Sequence, residues 1–299
     1  MAAVPAVSTD VPARSRSSGI APALRRFAAQ RAGVVGLALI VVTVGGGVFA
    51  PWLTRYDPTA LAMDQALQPP GPGHWLGTDA FGRDVLSRVL HGARFSLEVG
   101  VVSRIIALAV GASLGLLAGY YGGRFDQFVM RMADVTLAYP GLLLLIAVMA
   151  AIGPSKTALF VALGGVGWAG VARLVRAQVL SIKEREFVTA IRSLGASDRT
   201  IIVRHLLPNV LTPIVVIFSM GLGASIMAES SLSFLGLGAQ PPHPSWGSMI
   251  SSGLDYLRVA PWLSLAPGAM VTLTVLGFNL LGDALRDLFD PKLGRATRR

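Results

Sequence analysis

The chain has 299 residues, 53% of them hydrophobic and only 14% charged, with a mean hydropathy of +0.61. That composition excludes an ordinary soluble domain, which carries far more charge, and points to an all-α polytopic membrane protein. The net charge of +10 belongs, in so apolar a chain, to residues that flank membrane helices and set their orientation, so nucleic acid is not an expected partner.

Residues 1–20 are rich in Ala, Pro and Ser and read as a disordered tail. Residues 21–31 form a basic lead-in with Arg25, Arg26 and Arg31. The first apolar run starts near Val34, behind that long tail, and exceeds the core of a secretory signal, so it reads as a retained helix over 32–53. A polar loop, 54–94, contains Pro69, Pro70 and Pro72. A second helix is predicted over 97–118 and a third, as one rod, over 128–152. Gly153-Pro154 breaks the chain, and a fourth helix follows over 157–175. A polar module occupies 183–208, then a fifth helix 209–227, a second polar loop 236–262 and a sixth helix 265–285. The transmembrane region as a whole is 32–290, and 291–299 is a basic tail.

Each apolar run approaches the roughly 20 residues that a helix needs to cross a bilayer. Six crossings place both termini on one side. Nineteen of the 26 Lys and Arg residues fall in the tails, the turn after the second helix and the polar module, and six fall in the other loops. The positive-inside bias therefore puts both termini and the module in the cytoplasm and the loops 54–94 and 236–262 outside. Gly111, Gly115 and Gly119 recur at four-residue spacing, and the fourth helix carries Gly164, Gly165, Gly167 and Gly170. Such spacing lets backbones approach in lipid, so these helices are expected to pack closely.

The polar module has the logic of a helical hairpin. Phe187, Ile191 and Leu194 fall at i, i+4 and i+7 on one helical face. Gly195 suits the left-handed position that ends a helix, and Ser197 or Asp198 is placed to cap the next one. Ile201, Ile202, His205 and Leu206 give that second helix an apolar side, and Pro208 is expected to open the fifth transmembrane helix. Two readings stand on pattern alone: a lever for a soluble partner, or a connector held on lipid headgroups by Lys183, Arg185, Arg192, Arg199 and Arg204.

Gly195, nine residues, then His205-Leu206-Leu207-Pro208 resembles the E-A-A-x3-G-x9-I-x-L-P loop of bacterial ABC-importer permeases. Ala190, Gly195, Leu207 and Pro208 match it. Thr189 stands in place of the carboxylate, Ile191 in place of the second Ala, and His205 in place of the Ile. Three further stretches narrow the resemblance. They are Arg25-Arg26-Phe27 with Ala50-Pro51 and Tyr56-Asp57-Pro58; His74-Trp75-Leu76-Gly77-Thr78-Asp79 with Gly82-Arg83-Asp84; and Glu229 through Gly238 with Pro244-Ser245-Trp246-Gly247. Together they are similar to the C-type permeases of dipeptide, oligopeptide and nickel ABC importers.

That resemblance implies a type I permease fold in the bacterial inner membrane, paired with a B-type permease. It also implies two cytoplasmic ATPases that bind ATP and magnesium and dock on the hairpins, and an extracytoplasmic binding protein or lipoprotein that delivers cargo. The candidate coupling residues are Phe187, Thr189, Ala190, Ile191, Gly195, Ala196, Ile202, His205, Leu207 and Pro208. No cofactor is expected in this chain itself. Gly153-Pro154-Ser155-Lys156-Thr157 superficially resembles a P-loop but has Ser155 and Ala150 where the glycines belong. No catalytic residue is expected, and His74, His91, His205 and His243 lack metal-ligand spacing.

Few polar residues lie within the helices. Glu229, Ser230 and Ser233 are candidates for the translocation path or an outer gate, or for a structural tie at a helix end. Asp134 is spaced to pair with Arg131, with a transport role as its alternative, and Arg104 to snorkel or to pair with another chain, with substrate contact as its alternative. Asp79, Arg83, Asp84 and Arg88 either dock a partner or pair among themselves. A self-contained secondary transporter is the rival function; it requires a coupling-ion site, for which the membrane carboxylates are few and peripheral. Short peptides lead as cargo, with nickel or haem-like molecules as alternatives.

Overall fold

The computed structural model describes residue 25 and residues 27–289; the expected disordered tail and the basic end at 291–299 lie outside them. The described chain is helical, with α1 (Arg31–Val48), α2 (Ala50–Leu53), α3 (Val85–Tyr121), α4 (Gly123–Ala138), α5 (Gly141–Ile152), α6 (Lys156–Lys183) and α7 (Glu186–Ser193). They are followed by α8 (Asp198–Phe234), α9 (Trp246–Gly253) and α10 (Trp262–Phe289). Helices α1, α3, α6, α8 and α10 are each long and apolar enough to cross a membrane, and the α4–α5 pair supplies a sixth span when counted as one.

Several predicted boundaries are corrected by local chemistry. The first helix breaks at Phe49, and Pro51 sits in the first turn of α2, where its missing N–H costs nothing. The second helix begins twelve residues early because Asp84 caps it, its side chain accepting from the Ser87 N–H at 2.7 Å. Its 37 residues span about 55 Å, well beyond the hydrocarbon core of about 30 Å. Residues 85–94 of the expected outer loop are therefore helix. The third helix is not one rod. Pro140 forces Tyr139 into extended backbone (φ −92°, ψ 144°), and α4 and α5 meet at 94°. The fifth helix starts at Asp198 and absorbs the second half of the polar module, and the loop 236–262 contains α9, with a Ser245–Ser248 capping box.

Successive spans alternate between two ends of the bundle. Asp126 near the start of α4 pairs with Arg176 late in α6, whereas Ser155, just after α5, shares a cavity with Arg94 early in α3. The bent α4–α5 pair thus travels from one end to the other.

The glycine seam is real on α3. A Cβ at Gly115 would stand 2.4 Å from the Ala172 carbonyl oxygen, and one at Gly111 would stand 2.5 Å from that of Trp168. Close backbone approach along α3 and α6 is the principal helix contact that small residues make possible. Gly165 and Gly170 do not take part: a Cβ at either meets open space.

At the opposite end from the hairpin, the loop after α2 folds on itself. Arg83 donates to Asp79 at 2.7 Å, Arg88 lies 3.4 Å from the same carboxylate, and Asp84 bonds His74 at 2.9 Å. Those four loop charges are spent on one another and on His74. Nearby, the Thr59 hydroxyl and N–H both donate to Asp57 and hold its carboxyl below its ordinary value.

Candidate functional site

Helix α7 ends as its sequence dictates. The N–H groups of Leu194, Gly195 and Ala196 return to the carbonyls of Ala190, Arg192 and Ile191, and Gly195 adopts φ +80°. Ser197 caps α8, accepting from the Thr200 N–H. Its first turns then widen into a π-helical stretch at Ile201–Leu206. Pro208 lies two residues beyond it; it has no N–H to donate and its ring crowds the carbonyl of Arg204, so the wider turn accommodates it without breaking the helix. Asn209 Nδ2 donates to the His205 carbonyl at 2.6 Å. Pro208 therefore does not open a new helix; it lies inside one continuous 37-residue element.

The hairpin is rooted in the bundle. Val188, Ile201, Ile202 and Leu206 are buried with Leu116 and Tyr120 of α3 and Val175, Val179 and Ile182 of α6, and Ile191, Ala196 and Leu207 pack against the same cluster. Polar contacts reinforce the joint. The Tyr120 hydroxyl donates to Asp198 at 2.6 Å, Lys183 Nζ donates to the Gly119 carbonyl at 2.9 Å, and Arg176 forks onto both oxygens of Asp126. Arg192 lies 5.8 Å from the centre of the Tyr120 ring.

The predicted apolar ridge divides in two. Ile191 packs inward, whereas Phe187 is 37% exposed and Leu194 87% exposed. Thr189, Ala190, Gly195 and Pro208 also face outward, and His205 is half-buried. Val188, which sequence reasoning passed over, is the residue of α7 that is fully buried. Its signal was its position three residues before Ile191; helical spacing admits both stripes and does not say which one meets the bundle. Tyr120 and Asp198 were missed as partners because they lie 78 residues apart.

Glu229, Ser230 and Ser233 come together, and all three are buried within the chain. The Ser233 hydroxyl donates to Glu229 Oε1 at 2.7 Å and also accepts from the Ala239 N–H at 3.3 Å, tying the end of α8 to the loop beyond it. Asp134 pairs with Arg173 of α6 at 2.5 Å rather than with Arg131 on its own helix. Arg104 reaches across to α8, where Nη2 donates to the Ile217 carbonyl at 2.6 Å.

A bundle of membrane-length helices that carries a hairpin rooted in one buried cluster defines a polytopic membrane protein. Comparison with known proteins gives that class a family. Residues 111–295 match the binding-protein-dependent transport system inner membrane component, and residues 21–70 match the N-terminal transmembrane domain of oligopeptide transport permease C. The chain belongs to this permease family. It is 42% identical to the dipeptide transport system permease protein DppC of Alkalihalophilus pseudofirmus over 91% of this chain and 89% of the relative. It is 44% identical to the glutathione transport system permease protein GsiD of Pectobacterium atrosepticum over 90% of each chain, and equally so to GsiD of Escherichia coli over 90% of this chain and 89% of that one.

Proposed function

We propose that this chain is the permease subunit of an ATP-driven importer for short peptides and that it transmits the movement of partner ATPases to the membrane helices through the α7 hairpin. The observation that carries the reading is the divided hairpin. One apolar side is fused to α3 and α6 through a single buried cluster, and the other, with Phe187 and Leu194, is left outside. An element anchored that way moves as a body with the helices it is rooted in, so a push on the outer side shifts the bundle between two packings.

In this reading the hairpin and both termini face the cytoplasm, which the distribution of Lys and Arg supports. ATP and magnesium bind to the ATPases, a second permease completes the pathway, and a binding protein delivers cargo to the opposite face. The cargo follows from the relatives, which are named for dipeptide and glutathione transport. Glu229, Ser230 and Ser233 brace the outer end of α8 as a gate element rather than contacting cargo directly.

Because the chain has no cysteine, single cysteines at Phe187 and Leu194 give an unambiguous cross-linking test in the assembled complex. Both positions should cross-link to an ATPase subunit, with a yield that changes on nucleotide binding. Cross-links only to lipid-directed probes would overturn the proposal and favour a surface connector.

A further inference from the structure

Arg104 is the single charged residue on α3 between Glu98 and Tyr121, and it lies midway along that helix. The facing stretch of α8, from His205 to Ala228, contains no Asp, Glu, Lys or Arg. Among the described residues no carboxylate lies within 4.0 Å of its guanidinium, and its one hydrogen bond is that of Nη2 to the Ile217 carbonyl. The Nε–H is buried and unpartnered. The position is nonetheless shaped for the group. The guanidinium lies against Gly221, where a Cβ would stand 2.0 Å from Cζ, so any other residue there would evict it. An arginine within a membrane-length helix, with no counter-charge among the described residues and lying where only glycine leaves it room, points to a role beyond packing.

We propose that Arg104 is a carboxylate-binding station that holds the free C-terminal carboxylate of the cargo as it passes between the membrane helices. The proposal rests on the peptide-import reading above, and it names the chemical group recognised. Dipeptides and glutathione share a free carboxylate, and a guanidinium with unspent N–H donors matches that group in charge and in planar geometry. The Ile217 carbonyl orients the fork from behind, and Gly221 lets it lie close to the α8 backbone. The side chain is half-buried rather than sealed, as a transient site needs to be. Binding there supplies, within the bilayer, part of the solvation that the carboxylate loses on leaving water.

The test uses the complete importer in proteoliposomes: this chain, the second permease, the ATPases and the binding protein. Uptake of a dipeptide is compared with uptake of its C-terminal amide, each supplied on saturated binding protein so that the rate reports the membrane step. Arg104→Gln should reduce free-acid uptake at least tenfold relative to amide uptake, with basal ATP hydrolysis within twofold of wild type. Arg104→Lys should restore most of the acid preference, and Gly221→Ala, which displaces the guanidinium but keeps its charge, should reproduce the Gln phenotype. Equal loss for acid and amide, or an unchanged ratio, overturns the proposal. So does an Arg104→Gln complex that fails to assemble while Gly221→Ala assembles with its acid preference intact; that result assigns Arg104 to a carboxylate on the second permease. A wild-type importer that moves neither peptide refutes the cargo reading itself, and the proposal falls with it.

Discussion

Replacing Leu194 with Asp tests the coupling surface with little disturbance of the chain that bears it. Leu194 is 87% exposed, so the folded subunit loses almost no packing when it is changed. If that side chain is buried against an ATPase, its transfer from water contributes about 1.5–3 kcal/mol to docking. At about 1.4 kcal/mol per factor of ten, losing it weakens association roughly 10- to 100-fold, and a buried carboxylate without a partner weakens it further. The measurement is a titration of ATPase subunits onto the permease pair in nanodiscs, followed by hydrolysis stimulated by loaded binding protein. Both affinity and stimulation should fall by at least tenfold. Val188→Asp provides the contrast: Val188 is 0% exposed, so this change should reduce the yield of folded subunit itself. Leu194→Asp affinity within twofold of wild type would show that the exposed face of α7 is not the docking surface.

Other substitutions separate the parts of the argument. Gly195→Ala places a Cβ at φ +80° and should cost about 1–2 kcal/mol locally; Gly195→Asp should uncouple hydrolysis from uptake while membrane insertion proceeds normally, read by comparing both rates in vesicles. Gly115→Val drives a side chain into the Ala172 carbonyl, 2.4 Å from the Cβ position. It should destabilise the α3–α6 seam by about 1–3 kcal/mol or more, seen as a lower unfolding temperature in detergent. Ser233→Ala removes the 2.7 Å bond to Glu229 and leaves a buried carboxylate short of a donor, at about 1–3 kcal/mol. Glu229→Gln in the same background should recover much of that loss, measured by thermal unfolding of the single and double variants.

The membrane character, five of the apolar spans and the existence of the hairpin were all legible in the chain. Each depends on a local quantity: the length of an apolar run, the periodicity of a stripe, or a glycine placed where a helix must stop. Ser197 as a cap and Gly195 as a left-handed terminus are fully local, and both are as expected. Element ends were less legible. Asp84 starts α3 far ahead of the apolar run because an N-terminal cap extends a helix beyond the membrane-length segment. The fusion of the hairpin's second half with α8 was hidden by Pro208, which usually signals a boundary but here is accommodated by a π-helical turn.

What the sequence alone determined is therefore the long apolar helices and the position of the polar hairpin, because hydrophobicity and backbone propensity act within a few residues. The tertiary structure decided which side of α7 is the anchor and which is free, through Val188 against α3 and α6. It also decided that Asp134 meets Arg173 and that Arg104 lies against Gly221. Those pairings join residues tens to more than a hundred positions apart, and no local periodicity encodes them. They arise only when the helices have closed on one another and each polar group must find its partner within the bundle.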